Sequence, residues 1–166
     1  MPTIPIRCRL TADEHPGIRV RQLAQIGRDV HERMARTWAD DLLPEHFDAG
    51  AVNVFGYQPR RQSTIAKKVR LARLGIVEDG GRRALVHRGD LRRMLLRVRA
   101  PVTSGPRTAT VHLNGPRYFG IRPRGNRPNL AQEVTSFSDR HERLIALAAD
   151  RQFEKSLRRY PARKST

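Results

Sequence analysis

The chain has 166 residues, and 33 Lys and Arg against 16 Asp and Glu give it a formal net charge of +17. That length predicts one domain with room for a core. A single cysteine, Cys8, excludes an internal disulfide framework and a cysteine-based zinc site. No apolar run approaches the ~18–20 residues a membrane span needs, and no basic start followed by an apolar stretch marks a secretory signal, so a soluble protein assembled inside a cell is expected.

In chain order, residues 4–10 alternate apolar and polar and predict a short half-buried strand, which Pro5 places at a sheet edge. Residues 13–17 form a turn. Leu23, Ile26, Val30, Met34, Trp38 and Leu42 then recur at helical spacing, predicting a helix of about six turns that ends near Pro44. Residues 44–62 read as irregular, with an extended-looking stretch at 52–55. Ser63 is positioned to cap a second helix, which carries Ile65, Val69 and Ala72 and stops at Gly75. Gly80-Gly81 marks a turn, and Asp90 can cap a short helical segment over 91–96. Residues 98–102 and 108–113 predict a hairpin with Val111 and Leu113 inward. Residues 114–129 form a loop interrupted by an extended piece at 118–121. A last helix begins after Ser136 or Ser138 and runs to about 159, carrying Ile145, Ala149, Phe153 and Leu157. Residues 1–160 are thus expected to be one α+β domain, a long N-terminal helix and a C-terminal helix packed on a small antiparallel sheet with long loops. Residues 161–166 are expected to be a mobile basic tail.

The charge is uneven. Residues 60–127 hold 18 basic and 3 acidic residues, whereas the remainder holds 15 and 13. An excess so concentrated attracts a polyanion or an acidic protein surface.

Motifs for catalysis are missing. His31-Glu32 begins a zinc-protease pattern that fails at Ala35, where the second histidine would stand. The six histidines show no ligand spacing, no phosphate-cradling glycine loop occurs, and Asp40-Asp41 and Glu78-Asp79 are adjacent pairs unable to face each other across a substrate. No enzyme, cofactor or metal is expected. A winged helix is the competing reading: residues 64–74 form a basic helix with Lys67, Lys68, Arg70 and Arg73, followed by an apolar strand pair around Gly80-Gly81. A helix-turn-helix needs a helix ending three or four residues upstream, and Gly56 and Pro59 interrupt that position.

One further pattern is specific in its order. Leu43-Pro44-x-His46-Phe47 is followed by Phe55-Gly56-Tyr57-x-Pro59-Arg60, a helix bearing Lys67 and Lys68, and Leu85-Val86-His87-x-Gly89-Asp90-Leu91. Ala131-Gln132-Glu133-Val134-Thr135 then precedes a helix with His141-Glu142. This series resembles the tail-completion, or head–tail joining, proteins of tailed bacteriophages. It departs from them in Phe55 for a tyrosine, Gln62 for a serine and Arg88 for a threonine. The resemblance implies a non-enzymatic α+β virion component, a homo-oligomeric ring at the neck or tail end. Its partners would be portal or adaptor proteins, tail-tube or terminator proteins, and double-stranded DNA in the channel, with no membrane. His46, Phe47, Phe55 and Tyr57 would be core closure or intersubunit contacts. Arg60, Arg61, Lys67 and Lys68 would face an interface or DNA, so that neutralising Arg60 and Arg61 impairs assembly more than folding.

Overall fold

The computed structural model describes residues 3–7, 18–77, 85, 90–97, 99–120 and 128–159. Within these the chain is α+β. Strand β1 (Thr3–Ile6) buries Ile4 and Ile6 and exposes Thr3 and Pro5. It pairs antiparallel with β3 (Ala109–His112), whose other edge takes β2 (Val102–Ser104), giving the order β1-β3-β2. The edge position tolerates Pro5, which has no N–H to donate. Ile4 and Val102 both stand opposite Val111, so branched side chains from all three strands line one face.

Helix α1 (Val20–Arg36) lies between that sheet and the C-terminal helix, and Ile26, Val30, Met34 and Ala35 are buried along it. A methyl group at Gly27 would sit 2.3 Å from the carbonyl oxygen of Pro106, so the hairpin turn rests directly on the helix backbone. The predicted long helix does continue past Arg36, but as a π-helical turn (Thr37–Leu42) and then a 3-10 turn (Leu43–Phe47). The apolar spacing explains the change. Steps of four residues advance a stripe by about 40° each in an α-helix, so Trp38 and Leu42 would drift off the core. A π turn, with its i→i+5 bonding, holds more residues per turn and brings them back. Trp38 and Leu42 are both buried. Arg36 donates to the Ala100 carbonyl at 2.9 Å and Arg99 pairs with Asp40, tying this end of the helix to the chain entering β2.

Two segments expected to be irregular or extended are short helical turns instead. Residues 51–55 form α2 (Ala51–Phe55), which buries Ala51 and ends at Gly56, left-handed at φ 60°. Residues 118–120 do not extend: Arg117–Gly120 is a 3-10 turn closed by the Phe119 amide on the Pro116 carbonyl, which buries Phe119. Helix α5 (Leu130–Val134) follows α3 (Gln62–Arg73) and α4 (Asp90–Arg97) in the chain, and its N-cap Asn129 accepts from the Gln132 amide. Ser63 is not the cap of α3. Arg61 holds that position with extended ψ, and Ser63 lies inside the first turn. Gly75 does follow the end of α3, at φ 70°. Asp90 is the first residue of α4 and pairs with Arg93.

Helix α6 (Asp139–Leu157) starts at Ser138, whose hydroxyl accepts from the His141 amide, and packs against α1 and the π turn. The expected strand residues 8–10, the turns at 13–17 and at Gly80-Gly81, Cys8 and the tail 161–166 lie outside the described residues. No helix among the described residues is long and apolar enough to cross a membrane.

Candidate functional site

Part of the ordered series singled out in the sequence, residues 46–60 with Glu133 and His141, converges on one place. The 3-10 turn after the π segment ends at His46 and Phe47, both buried, and Phe47 joins the main core. The left-handed Gly56 reverses the chain so that Phe55 and Tyr57, on either side of it, return to His46. The His46 and Phe55 rings stack at 3.9 Å between centroids and 13° between planes, and Tyr57 lies 6.2 Å from His46. The Tyr57 hydroxyl is 2.6 Å from His46 Nδ1. The Tyr57 hydroxyl also donates to the His46 carbonyl at 3.5 Å. Burial, reinforced by the charge of His141, lowers the His46 pKa from 6.5 to about 4. Burial raises the Tyr57 phenol, with the Glu133 carboxylate adding to the effect. Both groups are therefore neutral near pH 7.

On the other side of His46 stands His141, 5.6 Å away edge to face, with Trp38 and Phe137 completing the aromatic wall. His141 Nε2 lies 3.1 Å from Glu45, which also receives the Arg140 guanidinium. Burial alone would raise the Glu45 carboxyl, but the hydrogen bonds from His141 and Arg140 outweigh it and hold the group below its ordinary value. His46 Nε2 and His141 Nδ1 have no hydrogen-bond partner among the described residues.

Arg60 departs from its expected role. Its guanidinium forms a two-pronged pair with Glu133, whose carboxylate also accepts from the Gln58 amide at 3.2 Å. The two side chains are only 15% and 8% exposed, so Arg60 faces inward and clamps α5 onto the Gly56 reversal rather than standing free for DNA or a neighbour. Lys68 is also corrected: it is the single buried residue of α3, and burial together with the Arg60 charge lowers its pKa. His46, Phe47 and Tyr57 are likewise interior in this chain, which is the core-closure alternative; Phe55 is half-buried. Arg61 and Lys67 are exposed.

Glu133, Glu45 and His141 are the residues that sequence reasoning did not nominate. Glu133 carried one signal: it is the sole acidic residue between Asp90 and Asp139, set among cations. Glu45 carried none. A neutral imidazole bonded to a phenol can exchange protons with a substrate that reaches it, but His46 is 1% and Tyr57 5% exposed. The arrangement serves instead to fasten residues 43–60 to 129–141. No group of three metal-ligating side chains gathers among the described residues. No protein-family model, curated protein or solved structure matches this chain.

Proposed function

We propose that this chain is a structural component of a tailed phage or phage-derived particle, forming a ring at the head–tail neck or tail end. One observation supports this reading above the others. Several residues that carry the resemblance to tail-completion proteins, His46, Phe55, Tyr57 and Arg60 from one short stretch and Glu133 some 73 positions on, meet in one largely buried cluster. His46 binds Tyr57 and Arg60 binds Glu133, which suits a scaffold whose specific residues hold shape rather than process a substrate. The ring would contact portal or adaptor proteins on one side and tail-tube or terminator proteins on the other, with DNA passing through. Mass spectrometry of purified particles tests it. The protein is expected in fixed stoichiometry with neck components, and particles that join heads to tails without it would overturn the reading.

The winged-helix alternative draws on α3, which is cationic and exposed over nearly all its length. Its geometry argues the other way: α2 is a single turn ending at Phe55, six residues before Gln62, where a helix-turn-helix uses three or four. Duplex binding that survives a large excess of competitor DNA would favour it over the ring.

A further inference from the structure

Helix α3 presents an unusual outer face. Ile65 and Val69, one turn apart, are 41% and 39% exposed, and Leu74 and Ile76 beyond its end are 66% and 45% exposed. Amphipathic helices normally bury such a stripe. Arg73 stands beside it and Arg70 farther round the helix, with Lys67 on the opposite side, none paired with a carboxylate among the described residues, and residues 51–77 contain no Asp or Glu at all.

The opposite character appears between β1 and α6. A groove of about 450 Å³ there has Ile6, Met34 and Phe137 in its apolar lining and Glu142 and Asp150 on the α6 side, with Arg7 as its one cation. Asp139 and Glu154 are exposed on the same flank of α6 by helical spacing, with Arg143 among them, whereas Arg140, Arg151 and Lys155 occupy the other flank. On a chain of net charge +17, this is an apolar groove with an acidic edge.

We infer that copies of this chain assemble head to tail, with the outer face of α3 from one copy seated in the acid-edged groove between β1 and α6 of the next. The inference rests on the ring reading and supplies its contact. Apolar side chains meet an apolar lining, and Arg73, with Arg70 beyond it, approaches Glu142 and Asp150. Charge also selects the orientation. A two-fold dimer through α3 would place cations on cations, and one through the groove would place acids on acids, each costly at close range. The two patches differ and belong to separate elements, so each copy offers one of each. Such a contact propagates, closing into a ring if the rotation allows.

The test uses two variants of the full chain. Val69→Glu/Arg70→Glu spoils the helix face and leaves the groove intact; Glu142→Arg/Asp150→Arg spoils the groove and leaves the helix. All four positions are exposed, so both variants are expected to keep the wild-type circular dichroism and melting temperature. Wild type is expected to form higher oligomers in sedimentation and native mass spectrometry. Each variant alone should be monomeric, its dissociation constant raised about 100-fold or more. Mixed one to one, the variants should form heterodimers and nothing larger, because each pair retains a single intact contact. A mixture that stays monomeric while wild type assembles overturns the inference, as does an α3 variant that assembles like wild type or loses only duplex-DNA binding. The outcomes separate from those of the ring reading. Heterodimers from a protein never found in particles would sink the virion role alone, and particle incorporation with a failed mixture would sink this contact alone.

Discussion

Along α1, Ile26, Val30, Met34 and Ala35 are closed off by the sheet on one side and α6 on the other, whereas along α3 Ile65 and Val69 stand in the open and Lys68 is the residue turned inward. Both helices repeat apolar residues every fourth position. The difference lies in what surrounds them. Helix α1 runs between two apolar faces, and its charged residues are of both signs. Helix α3 is bounded by cations alone, and its apolar residues have no comparable layer over them. Identical periodicity therefore reports a helix in both places but its burial in only one. Where the stripe is left exposed, the head-to-tail contact inferred above would supply the missing layer.

The comparison can be broken most forcefully at Trp38. Trp38→Ala removes a fully buried ring from the wall around His46 and is expected to cost about 3–5 kcal/mol, read from chemical denaturation. Ile65→Ala on α3 should cost under about 1 kcal/mol in the same assay. Equal losses would mean that α3 is packed like α1.

Acid is the next largest perturbation. The unfolded chain protonates His46 near its ordinary 6.5, while the folded chain resists until about 4. Between those values the unfolded state binds more protons, so stability is intact above the upper value and falls as the pH drops towards the lower one. The loss levels off below it and amounts to about 3 kcal/mol. His46→Gln is expected to flatten that part of the denaturation midpoint against pH. An unchanged slope would assign the acid sensitivity to other groups.

Breaking the clamp gives a comparable effect through charge. Arg60→Met leaves the Glu133 carboxylate nearly buried without its cation and is expected to cost about 2–3 kcal/mol. Arg60→Met/Glu133→Leu should recover part of it. Arg61→Met, at an exposed position, should change stability by less than about 0.5 kcal/mol. Matching losses at the two arginines would remove the distinction between an inward clamp and an outward cation, and with it the reassignment of Arg60 from assembly to folding.

The smallest effect is also the most local. Gly27→Ala would gain about 1 kcal/mol from helix propensity alone, but the Pro106 carbonyl lies where the methyl must go. A net loss of about 1–2 kcal/mol is expected. At Gly50, where nothing lies within 4 Å, the same change should be neutral or mildly stabilising. A stabilising Gly27→Ala in thermal melts would show that the hairpin does not rest on α1.

Local spacing made much of this legible from sequence. The stripe of α1, the Ser138 start of α6, the second strand of the hairpin and the edge strand with Pro5 each follow from residues within a few positions of one another, whereas the hairpin's first strand lies at Val102–Ser104 rather than at 98–102. What escaped depends on distant partners or on balance within a single turn. Arg60 and Glu133 are 73 positions apart, and nothing near either one announces the other. The one-turn helices at 51–55 and 130–134 are too short for periodicity to reveal. Ile65 and Val69 were read correctly as a stripe, but a stripe alone does not say which chain covers it. The candidate site was legible as a set of residues and illegible as a direction: His46, Tyr57, Arg60 and Lys68 were all found, and all point inward.

The π turn at residues 37–42 has a further consequence. It acts as a phase corrector between the front and back halves of the molecule. Re-winding it as α-helix without losing a residue would leave every hydrogen bond made, yet rotate all that follows by about 100° relative to α1. His46 would then swing away from His141 although neither residue had been touched. The loosest turn of the longest helix thereby sets the angular alignment on which the buried cluster depends.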